Sequence, residues 1–190
     1  MEKLYTFFNN LHPIPTEEWE KIHGEFKEKS FIKGEILQPI NELPTHLFII
    51  ESGLAKASYL GDEGKEFIKS FFSEMDIASA YIEVLREIPS RVEITALEDI
   101  HAVTFPFKRI KELYNEHPCW NALGRILAEK FFIMKEQREY EFLMLDARAR
   151  YDNFLKHFGH IEKRISNAQI ALYIGITPVS LSRIKSNNAI

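Results

Sequence analysis

The sequence predicts an α+β chain: an N-terminal antiparallel β-sandwich or barrel, a long helix, and a C-terminal helical helix-turn-helix domain. Three observations predict it. Short apolar or alternating runs separated by glycine turns fill residues 27–107. After Pro106 the apolar period becomes helical and stays so. Near the C-terminus, two short helical patterns flank Gly175.

Taken in order, residues 1–25 hold two short helical patterns, with Thr16 expected to cap a turn that opens on Glu17 and Glu18, where acids suit the helix dipole. Strands are expected at 46–53 (HLFIIESG), 54–60 (LAKASYL), 65–72 (KEFIKSFF), 91–97 (RVEITAL) and 100–105 (IHAVTF). Gly61-Asp62-Glu63-Gly64 reads as a hairpin turn with two glycines available for positive φ. Residues 77–87 (IASAYIEVLRE) read as a short helix that Pro89 ends.

A further short helix over 107–117 precedes a long one that opens near Pro118 and runs to about Leu145, roughly 40 Å at ~1.5 Å per residue. Along it Ile126, Ile133 and Tyr140 recur every seven residues, as do Leu127 and Met134. One stripe serves the barrel of its own chain. The second needs another partner, and a second copy of the same helix is the simplest one, so a homodimer is expected. Asp146 is placed to cap the next helix (ARARYDNFLKHF), which Gly159 is expected to terminate. No flexible linker separates body from tail, and a stiff joint transmits movement.

Composition excludes several classes. The single Cys119 rules out an intrachain disulfide and a cysteine-ligated iron–sulfur cluster. No H-x-H pair suggests a metal-dependent barrel enzyme, and nothing in the spacing of His46, His101 and Cys119 points to haem. No nucleophile–base pairing or phosphate-cradling loop stands out, so no enzyme and no resident metal or cofactor is expected. The N-terminus lacks a sustained apolar region, and no apolar run is long enough for a bilayer. The expectation is a cytoplasmic protein without a membrane partner. Net charge is −4, but from Ala147 onward seven Lys and Arg face two Asp and Glu, a local +5 that leaves −9 on the first 146 residues. A basic tail on an acidic body suits contact with phosphates.

The tail carries the strongest signal. Ser166 and Gln169 form a capping box; Ile170, Ala171 and Ile174 make a buried face; Gly175 turns the chain and Ile176 plugs the corner. Thr177-Pro178 then restarts a helix whose Leu181 and Ile184 face inward. Thr177, Val179, Ser180, Ser182, Arg183 and Lys185 are left to meet double-stranded DNA. Arg183 suits guanine, Val179 a thymine methyl, and Lys185 a phosphate.

The whole chain resembles the Crp–Fnr regulators. The residues that carry the resemblance are KGEIL (33–37), LFIIESGLAKAS (47–58), the DEGKE turn (62–66), ITALED (94–99) and GITPVSLSRI (175–184), with Ala147-Arg148-Ala149-Arg150-Tyr151 followed by Phe154-Leu155. The resemblance implies an antiparallel, jelly-roll-like β-roll of cyclic-nucleotide-binding type at 1–117, a dimerisation helix at 118–145 and a winged-helix/helix-turn-helix DNA-binding domain at 146–190. It also implies an effector pocket near Ile77, Ala80, Arg86, Ser90 and Arg91. Members that bind cyclic AMP carry Gly-Glu and, about ten residues later, an arginine for the phosphate. Here Ser79-Ala80 and Ser90 occupy those places, Arg91 misses by one residue, and Lys135-Glu136 stands where the purine is met. Cyclic nucleotide is therefore disfavoured as a ligand. The expected function is a homodimeric, sequence-specific transcription regulator, constitutive or controlled by an unidentified small-molecule effector, with RNA polymerase a further candidate partner. The alternative is a ligand-binding or scaffold protein whose helix-turn-helix no longer reads DNA, since Pro178-Val179 replaces the Arg-Glu pair that some relatives use on bases.

Overall fold

The computed structural model of the chain describes residues 2–61 and 64–186. Helices α1 (Glu2–Leu11) and α2 (Thr16–Ile22) open it. Thr16 is the first residue of α2 and not its cap. Pro15 takes the cap position, and its ring has no polar atom with which to make a capping hydrogen bond.

Two four-stranded sheets follow. One has the order β1 (Lys27–Phe31), β8 (Ile100–Pro106), β3 (His46–Ser52), β6 (Ile77–Ala78); the other has β2 (Ile36–Gln38), β7 (Glu93–Ala96), β4 (Ala55–Leu60), β5 (Glu66–Phe72). All pairings are antiparallel. The first sheet is covered on both faces, which explains the unbroken apolar run of β3. Leu47 and Ile49, with Val103 and Phe105, pack against helices; Phe48 and Ile50, with Ile100 and Ala102, fill the roll.

The strand boundaries differ from the sequence reading in three places. Residues 77–87 are not one helix: Ile77 and Ala78 pair with Ile49 and Phe48 as β6, and only α3 (Tyr81–Arg86) is helical. The run at 91–97 shrinks to β7, because the Ser90 hydroxyl donates to the Val92 carbonyl (2.7 Å) and accepts from its N–H (3.1 Å), closing a loop there. Leu54 leaves its strand to enter a different core. The hairpin between β4 and β5 closes with Gly61 N–H donating to the Lys65 carbonyl (2.8 Å). Gly64 takes the left-handed φ of +76°, while Asp62 and Glu63 lie outside the described residues.

Helices α4 (Phe107–Leu113), α5 (Pro118–Met144), α6 (Ala147–Phe158), α7 (Asn167–Ile174) and α8 (Pro178–Ser186) complete the chain. The His117 ring caps α5 by accepting from Cys119 N–H, and Asp146 caps α6 by accepting from Ala149 N–H (2.8 Å). Gly159 keeps right-handed angles, so α6 runs on into a 3-10 turn (Gly159–Arg164) that buries Ile161. No strand follows α8 among the described residues.

Three cores result. The first joins α1, α2, α4 and the start of α5 to the outer face of β3 and β8. There the buried Glu18 accepts from the Trp120 indole N–H (3.0 Å) and pairs with Lys21. The second fills the roll. The third spans the two halves of the chain: Leu54, Ile68 and Phe71 of the roll pack with Tyr151, Phe154, Ile170, Tyr173 and Ile174 of the tail. The tail is thus seated on the second sheet as well as joined to α5.

Candidate nucleic-acid interface and effector pocket

The turn between α7 and α8 is built by local chemistry. Ser166 Oγ accepts from Gln169 N–H (3.2 Å) while Gln169 Oε1 accepts from Ser166 N–H (2.8 Å), so both ends of the capping box are made. Gly175 adopts φ +73°, and a Cβ there would meet the Phe142 ring at 2.6 Å. Thr177 Oγ1 accepts from Ser180 N–H (3.1 Å) and bonds the Ser180 hydroxyl (2.9 Å), starting α8. Leu181 is fully buried and Ile184 packs on the same core. Thr177, Val179, Ser182 and Arg183 are exposed on the outer side, Val179 at 62 %. Arg183 has no ion-pair partner among the described residues.

Two arginines outside the turn hold it in place. Arg138 of α5 donates to the Tyr173 carbonyl and lies 3.5 Å from the Tyr173 ring centroid. Arg150 of α6 donates to the Ile174 carbonyl and to the Leu145 carbonyl, both at 2.9 Å. Cations on the last carbonyls of α7 complement its dipole. They tie the α7–α8 turn to the α5–α6 joint. Sequence reasoning quoted Arg150 only as part of a family pattern and overlooked Arg138. Burial pushes the Arg138 pKa down.

The tail's positive charge is less available than a residue count implies. Arg164 binds Glu74 (2.9 Å) and Glu98 (2.6 Å) of the roll. Lys185, assigned to phosphate from the sequence, pairs with Glu162 (2.8 Å) and Asn167 (2.7 Å). Arg148 pairs with Asp152 (3.1 Å). Glu74 and Glu98 of the acidic body thus reach into the basic segment, while Glu162 and Asp152 belong to that segment itself.

The heptad residues of α5 separate in depth. Leu127 packs on the first core and Ile126 is half-buried, while Ile133, Met134 and Tyr140 are exposed. Phe132, Leu143 and Met144, which the seven-residue spacing omits, extend the same exposed apolar surface, with Leu143 at 73 %. Ile82 and Leu85 of α3 are exposed as well.

At the expected effector pocket, Ala80 and Ser90 are buried, and the Ser90 hydroxyl is committed to Val92. Arg86 is exposed on α3. Arg91 pairs through Nε with Glu83 (3.1 Å), a fully buried carboxylate whose second oxygen has no hydrogen-bond partner. A cation already facing a carboxylate is a poor anchor for a cyclic phosphate. Ile77 instead lines a separate cavity of about 80 Å³ between α1, α2, β3, β8, α4 and α5. Among the described residues, no group of three His, Cys, Asp or Glu side chains is placed to hold a metal, and no helix is long and apolar enough to cross a membrane.

Comparison with known proteins places this geometry. Residues 28–117 match the cyclic nucleotide-binding domain family. The structure is similar to FixK2 from Bradyrhizobium japonicum (TM-score 0.72, 18 % identity, covering 85 % of this chain and 83 % of that one). It is also similar to a protein of Eubacterium rectale described as a transcriptional regulator of the Crp/Fnr family (TM-score 0.72, 21 % identity, 96 % and 87 % covered). A third is the c-di-GMP-responsive global regulator CLP of Xanthomonas campestris (TM-score 0.70, 12 % identity, 92 % and 91 % covered). No curated protein gives a significant sequence match. Residues 28–117 are therefore similar to the cyclic nucleotide-binding domain family, and the chain as a whole has the fold seen in solved Crp–Fnr regulators.

Proposed function

We propose that the chain is a homodimeric, sequence-specific DNA-binding transcription regulator that does not respond to cyclic AMP. The observation that carries this reading is the outer face of α8, where Val179, Ser182 and Arg183 are exposed on a braced turn and Arg183 has no ion-pair partner among the described residues. Arginine supplies bidentate donors to guanine O6 and N7, and valine supplies apolar contact to a thymine methyl. The exposed apolar side chains of α5 suit pairing with a second copy of that helix, which would set two recognition helices about 34 Å apart on a roughly palindromic site. The regulators among the solved neighbours support the same class of function. The Arg91–Glu83 pair and the commitment of Ser90 to its own backbone argue against a cyclic phosphate.

The effector, if one acts, shifts the balance between two dimer geometries. The joint at Asp146, held by Arg138 and Arg150, is the natural route, because both side chains grip the carbonyls that end α7. RNA polymerase is the expected downstream partner of a regulator bound beside a promoter.

Selection of DNA sites from a random pool, with and without cyclic AMP and cyclic GMP, tests the proposal. Enrichment of one palindrome under all conditions is expected. Enrichment that depends on nucleotide would overturn the reading of Ala80 and Ser90. No enrichment under any condition leaves two readings, an obligatory effector missing from the assay or the scaffold alternative in which α8 does not read DNA.

A further inference from the structure

The first core is not fully closed. A half-enclosed cavity of about 80 Å³ lies among the N-terminal helices, the outer face of the roll, α4 and the first half of α5. Native interiors rarely leave voids larger than a water molecule. At roughly 10–15 Å³ per water, this one has room for about five or more. Water needs polar partners, and the walls are almost wholly apolar and half aromatic, with Phe8, Trp19, Trp120, Phe107 and Phe131 among them. An apolar space of this kind holds water poorly and apolar molecules well.

The wall carries three hydroxyls and no charged side chain. Ser79 Oγ is buried with no hydrogen-bond partner. The Tyr81 and Tyr114 side chains also line the cavity, and burial pushes both phenols up, so they stay neutral. Tyr114 reaches its place only because residue 124 is glycine, since a Cβ there would collide with the phenol. A buried hydroxyl without a partner is costly unless something fills its need. The cavity is also distinct from the nucleotide pocket expected from the sequence. Ala80, Ser90 and Arg91 do not line it, and of that set only Ile77 does.

We propose that this cavity is a binding site for a small, uncharged, largely apolar molecule, about one ring in size, carrying a single hydroxyl that pairs with Ser79. The absence of any charge in the wall excludes phosphates, carboxylates and ammonium groups. The volume excludes a nucleotide: an apolar cavity of about 150 Å³ takes one benzene ring, so a single ring fills this one and reaches its open side. The site stands independently of whether α8 reads DNA.

Both tryptophans of the chain, Trp19 and Trp120, line the cavity, so their emission reports on it directly. Cyclohexanol, a neutral probe transparent at the exciting wavelength, is titrated into the full chain while tryptophan emission and Tm are followed. A saturable change in emission with a rise in Tm is expected, and none with cyclohexylamine, which is protonated at neutral pH. Ser79→Ala should weaken binding about 2- to 12-fold through loss of one hydrogen bond. Ile110→Phe, which fills the space from α4, should abolish it; if that variant does not fold, Ser79→Ala decides alone. The proposal is overturned by an absent or non-saturating response, by equal binding of cyclohexylamine, or by an affinity that Ser79→Ala leaves unchanged.

Discussion

Two short segments hold the residues on which the proposed function turns, the helix-turn-helix at 166–186 and the segment at 76–92, and they are built differently. In the turn, every local device is present: the reciprocal cap at Ser166 and Gln169, the left-handed Gly175, the hydroxyl of Thr177 and the buried Leu181. In the segment at 76–92 the polar groups are committed within the chain. Ser90 bonds its own loop, and Arg91 faces Glu83. The difference teaches that a fold and its ligand chemistry are kept by different residues. Apolar spacing and one or two special φ values preserve a frame, whereas a ligand site depends on a few polar groups that a one-residue displacement can redirect.

The largest expected effect breaks the turn. Gly175→Val must hold a β-branched residue at positive φ against the Phe142 ring, and should cost about 2–4 kcal/mol. Urea unfolding measures it, and a loss below about 1 kcal/mol would mean the turn is not the constraint described here. Arg183→Ala comes next. It should leave the fold intact and weaken binding to the selected DNA site by about 1–3 kcal/mol, with relaxed preference at one base pair. Unchanged discrimination between sites in an anisotropy titration would remove Arg183 from the reading set.

A third variant sharpens the other side of the comparison. Glu83→Gln removes the carboxylate charge opposite the Arg91 guanidinium, leaving only a cation–amide hydrogen bond, and should destabilise by about 1–2 kcal/mol. Calorimetry with cyclic AMP should still show no binding, because the arginine remains displaced and the ribose carboxylate is missing. Tight binding by this variant would show that the Glu83 carboxylate alone closes the pocket.

The smallest effect concerns the contact that seats the tail on the roll. The Arg164 guanidinium holds the Glu74 carboxyl at about 2, well below its usual 4.5. A carboxyl depressed in the folded state stabilises above its unfolded pKa, so this contribution is full above about pH 4.5 and is lost as pH falls towards about 2. The pair is partly exposed and its effect is screened by salt. Arg164→Gln should flatten the acid loss of stability in that window. Identical pH profiles for the two proteins would rule out this ion pair as a stabilising contact.

The tail was the most legible region because its signals are local. A capping box, a turn glycine and a threonine followed by proline act within a few residues, and a sequence displays them directly. The roll was legible as a class and blurred in detail. Ile77 and Ala78 look helical beside 81–86, yet β3 claims them through long-range pairing. The run at 91–97 lost its first residues to a serine that closes its own loop. On α5, a seven-residue spacing found Ile133, Met134 and Tyr140 but included Ile126 and Leu127, which sit deeper, and omitted Phe132, Leu143 and Met144. Spacing records direction around a helix; it does not record what covers each part of its length.

What the sequence determined by itself follows from short-range physics: the change of period after Pro106, the helix-turn-helix, the caps at Asp146 and Ser166, and the residues missing from the segment at 76–92. What only the tertiary structure decided depends on partners distant along the chain. It placed Arg164 between Glu74 and Glu98 of the roll, and so partly neutralised an apparently basic tail; it also set Lys185 on Glu162 and Arg138 on the end of α7. It also gathered both tryptophans, two tyrosines and Ser79 around one cavity. Charge and periodicity can be counted along a chain, but neutralisation and enclosure exist only once remote segments meet.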